Sequence, residues 1–227
     1  MHNENTGKSN SSDMDALEAE VREAVANGSH IQDTVHRLTL KAINAQRIDL
    51  DSLQRIITAV MQGAHDGASQ QLLQATSQAH AAKSQITEAV AGLDSALARF
   101  AEASNLAIEE AAGQAKKFSD TELARTRSDL ESLESLFLET LHHTATAAQG
   151  LIADVLLDIS HHAKNTGTNV GSQLKETLAT LAQQVASVGH SQMEVGVSLA
   201  QKTADFVSKS ANGVLSGIKD QSKTGKH

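Results

Sequence analysis

The chain has 227 residues, of which 40% are apolar but only 2% aromatic, with no proline and no cysteine. Without cysteine there is no disulfide framework, thiol nucleophile or thiolate metal site. The formal charge of −8, from 27 acidic against 19 basic side chains, repels phosphate backbones and excludes nucleic acid as an expected partner.

Met1 to Ser12 is polar, with Asn3, Asn5, Ser9 and Asn10 and no apolar run of the kind a secretory signal needs, so residues 1–12 are expected to be a disordered tail. Residues 13–66 read as short helices with local start and stop signals. Met14, Leu17, Val21 and Val25 mark the face of a first helix that ends at Asn27-Gly28. Ser29 and Gln32 stand at capping-box spacing before a second face of Ile31, Val35, Leu38 and Ala42. Asp51 and Gln54 announce a third helix carrying Leu53, Ile56, Ile57 and Val60, and Gly63-Ala64-His65-Asp66-Gly67 is expected to close it.

Residues 67–219 contain an apolar stripe in alternating steps of three and four, with no proline to break it. Three long helices of about 50, 46 and 50 residues are expected, each extending roughly 70 Å at 1.5 Å per residue. The first carries Ala75, Ile86, Val90, Leu93, Leu97 and Phe100 and ends near Phe118-Ser119. The second opens on the capping box Ser119–Glu122 and carries Leu130, Leu133, Phe137, Leu141 and Val155 up to Asn165-Thr166-Gly167. The third carries Leu174, Leu181, Val185, Val188, Val195, Leu199, Phe206 and Val214. Short joints favour antiparallel neighbours, and the near-heptad spacing suits coiled-coil packing. The expected fold is therefore all-α: an elongated antiparallel bundle of three long helices preceded by two or three short ones. Beyond Lys202 the pattern weakens into a Lys-, Ser- and Gly-rich end, with residues 220–227 a second tail.

The aliphatic faces must be thin, because the aromatics are Phe100, Phe118, Phe137 and Phe206 alone and burial is worth roughly 25 cal/mol per Å². Interior Gly92, Gly113, Gly150, Gly189 and Gly196 each cost about 1 kcal/mol relative to Ala and read as close packing points or as hinges. The longest strongly apolar run, Leu151 to Ile159, is cut by Asp154 and Asp158 and is too short to span a bilayer.

Among the 11 histidines, Glu139-x-x-His142 and Asp158-x-x-His161 have the spacing that carboxylate-bridged metal bundles use. On one continuous helix the two motifs lie about 28 Å apart. They could meet only if the chain reversed near Gly150 or a second copy contributed, so no metal site and no cofactor is expected. No serine sits in a nucleophile elbow, and Gly167-Thr168-Asn169-Val170-Gly171 lacks the Lys-Ser/Thr of a phosphate loop and reads as a helix joint. No catalytic residue is assigned.

Two stretches, VREAVANGSHIQDTV from Val21 through Ile43 and AEASNLAIEEAAG from Ala101 through Leu141, resemble an uncharacterised all-helical family found in proteobacteria, a likeness that covers about residues 15 to 185. That family brings no assigned site residues. The Ala- and Gln-rich long helices look more loosely like phasins, the amphipathic proteins that coat polyhydroxyalkanoate granules. The Lys-rich end looks slightly like desiccation-protection proteins. The resemblance implies a non-enzymatic cytoplasmic protein whose stripe meets a hydrophobic granule or lipid-like surface. The alternative is self-association into an oligomeric scaffold or adaptor through the same residues, from Ile86 to Val188.

Overall fold

The computed structural model describes residues 5–45, 49–74, 79–113 and 120–188. Among them are seven helices: α1 (Asn5–Asn27), α2 (Ile31–Ala45), α3 (Leu50–Gln74), α4 (Ala79–Gly113), α5 (Asp120–Ala147), α6 (Gly150–Thr166) and α7 (Asn169–Val188), and the described residues contain no strand. The all-α expectation holds. α3 and α4 lie at the centre, with α1 and α2 packed on one side and α5, α6 and α7 on the other. The buried apolar residues, from Leu17 on α1 to Leu174 on α7, form one continuous core.

The first difference from expectation concerns the third helix, which does not close at residue 66. α3 runs on through Gly63 and Gly67 to Gln74. Both glycines are there because α1 lies against them. A Cβ on Gly63 would stand 2.5 Å from Glu18 O, and one on Gly67 would stand 2.6 Å from Arg22 O and 2.8 Å from Val25 Cβ. Any side chain would push the two backbones apart, so the spacing that looked like a helix stop is a seam of close approach. One turn further on, the Gln71 side-chain amide donates to Ala26 O, satisfying a carbonyl at the end of α1.

These three contacts repeat the same offset of 45 residues, so α1 and α3 run in the same direction and in register. Asn5 is then level with Leu50, where α3 begins. α1 thus begins inside the segment expected to be a tail. α2 is likewise parallel to α4, with Gly92 against Gln32 O and Gly28 against Gln85.

Helix starts differ in detail from the local signals. α3 is capped by Asp49, whose Oδ1 accepts from Ser52 N at 2.8 Å, two residues before the expected Asp51. α2 begins after His30, at φ +52°, one residue too late for a Ser29 cap. α5 begins at Asp120, immediately after Ser119, which lies outside the described residues.

The second expected long helix is two. It breaks at Gly150, at φ +61°, and the chain reverses there so that α5 and α6 pack antiparallel. At Asn165–Gly167, where a reversal was expected, the chain instead continues. α6 and α7 do not pack along each other, while α5 packs on both. They form one broken rod, interrupted at Gly167, whose φ of +86° is open to glycine and strained for any other residue. Gly113 ends α4. Ala75, Gly189, Gly196, Val195, Leu199, Phe206, Val214, the lysines from Lys202 onward and the expected tail at 220–227 fall outside the described residues.

Candidate functional site

The predicted stripe is the core. Ile86, Val90, Leu93, Leu97 and Phe100 on α4, Leu130, Leu133, Phe137 and Leu141 on α5, and Val155 on α6 are each no more than 4% exposed and belong to the same cluster. Their spacing puts them on one face of each helix, and the packing of α4 against α6, and of α5 against α6 and α7, brings those faces together. Leu181, Val185 and Val188 lie on α7, but their side chains are outside the described residues.

Within this aliphatic interior, the joint between α6 and α7 gathers a polar node that the sequence analysis did not single out. Asp94 on α4 is 9% exposed, and its carboxylate accepts from Asn169 N at 2.9 Å and from Val170 N at 3.0 Å. Thr168 caps the same helix: its Oγ1 accepts from Gly171 N at 2.8 Å and donates to Glu134 Oε1 on α5 at 2.7 Å. A Cβ on Gly171 would collide with the Glu134 carboxylate. Two turns along, Thr177 Oγ1 lies 3.1 Å from Ala101 O and 3.0 Å from Gln173 O of its own helix, and shares its one proton between them.

The pairs Asp94–Val170 and Ala101–Thr177 share one offset of 76 residues, so α7 runs parallel to α4. Two carboxylates thus stand near the positive end of the α7 dipole: Asp94 satisfies the amides of Asn169 and Val170, and Glu134 accepts from the Thr168 hydroxyl that caps Gly171 N. Hydrogen bonds to a charged acceptor contribute about 1.5–3 kcal/mol each. The donors the two carboxylates take are backbone amides and a hydroxyl at the start of α7, which makes the node a device for holding α7 in place. One buried hydroxyl nearby in sequence, Ser160 Oγ on α6, finds no partner among the described residues, at a cost of about 1–3 kcal/mol.

The carboxylate and histidine pairs considered as metal ligands are all on the outside. Glu139 and His142 on α5, and Asp158 and His161 on α6, are exposed. The chain does reverse at Gly150 and lays α5 beside α6, which is the condition the sequence set for convergence. Even so, no group of three His, Asp or Glu side chains placed to hold an ion occurs among the described residues. Both motifs occupy helix faces turned away from the core.

His36 on α2 is half-buried. Burial lowers its pKa below the ordinary 6.5; Asp33 opposes the shift and Arg99 on α4 adds to it. No described helix is long and apolar enough to cross a membrane.

A helical bundle with one aliphatic core and a polar latch between helices defines an all-α protein. Residues 7–223 match a family of unknown function, DUF6781, and the chain belongs to that family. No curated protein and no solved structure matches the chain.

Proposed function

We propose that this is a non-catalytic helical protein that associates with a hydrophobic surface, of the lipid or storage-granule kind that phasins coat, by presenting the aliphatic stripe it otherwise buries. The observation that carries this reading is the make-up of the α4–α7 seam. The described apolar residues that α7 buries there, Val170 and Leu174, are aliphatic, while Asp94 and Ser104 on α4 and Thr168 and Thr177 at and along α7 are buried polar residues. A seam that mixes thin apolar contacts with buried polar groups gains less from staying closed than a fully apolar one. An amphipathic helix freed from it buries the same face at an oil–water boundary.

The test is flotation of the full chain with phospholipid-coated triolein emulsion and with polyhydroxybutyrate particles. Binding to either, at micromolar protein and moderate salt, is the expected result. Protein that stays wholly in the aqueous phase with both would remove the proposal.

A second reading, a helical scaffold that self-associates, has in its favour Leu73, 88% exposed at the end of α3. It predicts a discrete oligomer in light scattering, and a monomer across the micromolar range would eliminate it.

A further inference from the structure

α1 to α4 are tied to one another by apolar and glycine-lined seams, and α7 adds to its own apolar contacts a polar latch at its start. α1 and α2 are seated on Gly63, Gly67 and Gly92. α4 alone buries Ile86, Val90, Leu93, Leu97 and Phe100. The described part of α7 contributes only Val170 and Leu174 as fully buried apolar residues, with Leu178 partly buried. Among its described residues it also has polar ties to other helices: Asp94 to two backbone amides, Glu134 to Thr168, and Thr177, whose hydroxyl proton is shared between Ala101 O and Gln173 O. It packs on α4 and α5 and not on α6, from which it is separated by Gly167, a positive-φ residue with nothing within 4 Å of its Cβ position.

We propose that α7 is a releasable arm: it undocks from α4 and α5 as one unit, pivoting at Gly167, when the Asp94 latch lets go of its first turn. Such a latch is a two-state element. Docked, the Asp94 carboxylate is bonded to Asn169 N and Val170 N; released, carboxylate and amides are both taken up by water, so opening leaves no buried charge unpaired. The pivot costs little because Gly167 already stands between two helices that make no lateral contact. Opening uncovers the apolar face of α7, carrying Val170, Leu174 and Leu178, together with the strip of α4 it covered. As a means of presenting the stripe, the arm rests on the surface-association reading; as a motion, it does not.

Hydrogen exchange on the full chain decides the motion in the absence of any surface. Peptides from residues 169–188 should exchange faster than those from 79–107 and from 50–73. Asp94→Asn, which keeps the shape and removes the charge, should speed exchange in α7 by roughly tenfold, the effect of weakening charged hydrogen bonds by about one decade of equilibrium constant, while α1–α3 keep the wild-type rate. Thr177→Val, which deletes the bond to Ala101 O with little change in volume, should produce the same local pattern. Acceleration spread equally over α3, α4 and α7, or none in α7, overturns the arm. Flotation then tests the link to function: Asp94→Asn should reach saturation on emulsion sooner than the wild-type chain. If both bind at the same rate, release is not what controls binding and that part of the proposal is overturned, while surface association stands. If neither floats, the surface reading fails, and the exchange pattern still decides whether the arm exists.

Discussion

Replacing Gly63 by alanine sets two effects of opposite sign against each other, and the structure decides between them. In an exposed helix the substitution stabilises by about 1 kcal/mol, because glycine loses the most backbone freedom on folding. Here the new Cβ meets Glu18 O at 2.5 Å, Val21 Cβ at 3.0 Å and Arg22 N at 3.2 Å. Two of those three atoms belong to the backbone of α1, so no rotamer change relieves the clash and the helices must separate by some tenths of an ångström. Overpacking of this kind costs about 1–3 kcal/mol. Separation also loosens the partners of the seam one and two turns along, Gly67 with Val25 and Gln71 with Ala26 O, which places the cost at the upper end. Subtracting the propensity gain leaves a net destabilisation of about 1–2 kcal/mol, a drop in melting temperature of roughly 2–8 °C for a domain of this size. Urea unfolding followed by circular dichroism at 222 nm reads it directly. A Gly63→Ala protein as stable as the parent, or more so, would mean that α1 and α3 do not approach as described and that the glycine is a tolerated interruption.

Phe137, 1% exposed in the core of α5, should cost about 3–5 kcal/mol when truncated to alanine, seen as a large fall in the urea midpoint. Thr168→Ala removes the α7 cap and its bond to Glu134, with an expected loss of about 1 kcal/mol in the same assay. His36 is held below its ordinary pKa by burial, so the unfolded chain binds its proton more readily; this contribution to stability is complete above pH 6.5 and is lost as pH falls through the lower folded value. The His36→Gln chain should therefore show a flatter dependence of melting temperature on pH below 6.5, and NMR titration of His36 in the folded protein should give a midpoint below the ordinary 6.5. Zinc or iron added to the full chain should leave after dialysis, with elemental analysis finding well under one equivalent; retained stoichiometric metal would reinstate Glu139, His142, Asp158 and His161.

The stripe was legible because one period governs both the sequence and the packing: Val90, Leu93, Leu97 and Phe100 are spaced for one helix face, and that face is buried. Glycine was not legible in the same way. Gly63 and Gly67 carry a local signal for a helix end, but their role depends on α1, whose facing residues lie 45 positions away. Gly150 and Gly167 look alike in sequence, yet one reverses the chain and the other only interrupts it, a distinction that depends on which helices then pack. The cap of α7 was half visible. Thr168 stands where a cap belongs, but Asp94 and Glu134 come from other helices, and a search for capping partners three residues away cannot find them. One trace was available: Asp94 interrupts the apolar face between Leu93 and Leu97, and an acid placed there needs buried donors.

Among the side-by-side helix pairs of this bundle that point the same way along the chain are α1 with α3 and α4 with α7. Neither pair can zip up from a tight turn, because an intervening element must first carry the chain back, and that requires closing loops of dozens of residues before any contact rewards it. The adjacent antiparallel pairs, such as α5 with α6, face no such delay. Folding order is thereby written into the topology: hairpin-like pairs first, same-direction seams last. Damage at Gly63 or Asp94 should accordingly hasten unfolding and leave the rate of folding almost untouched.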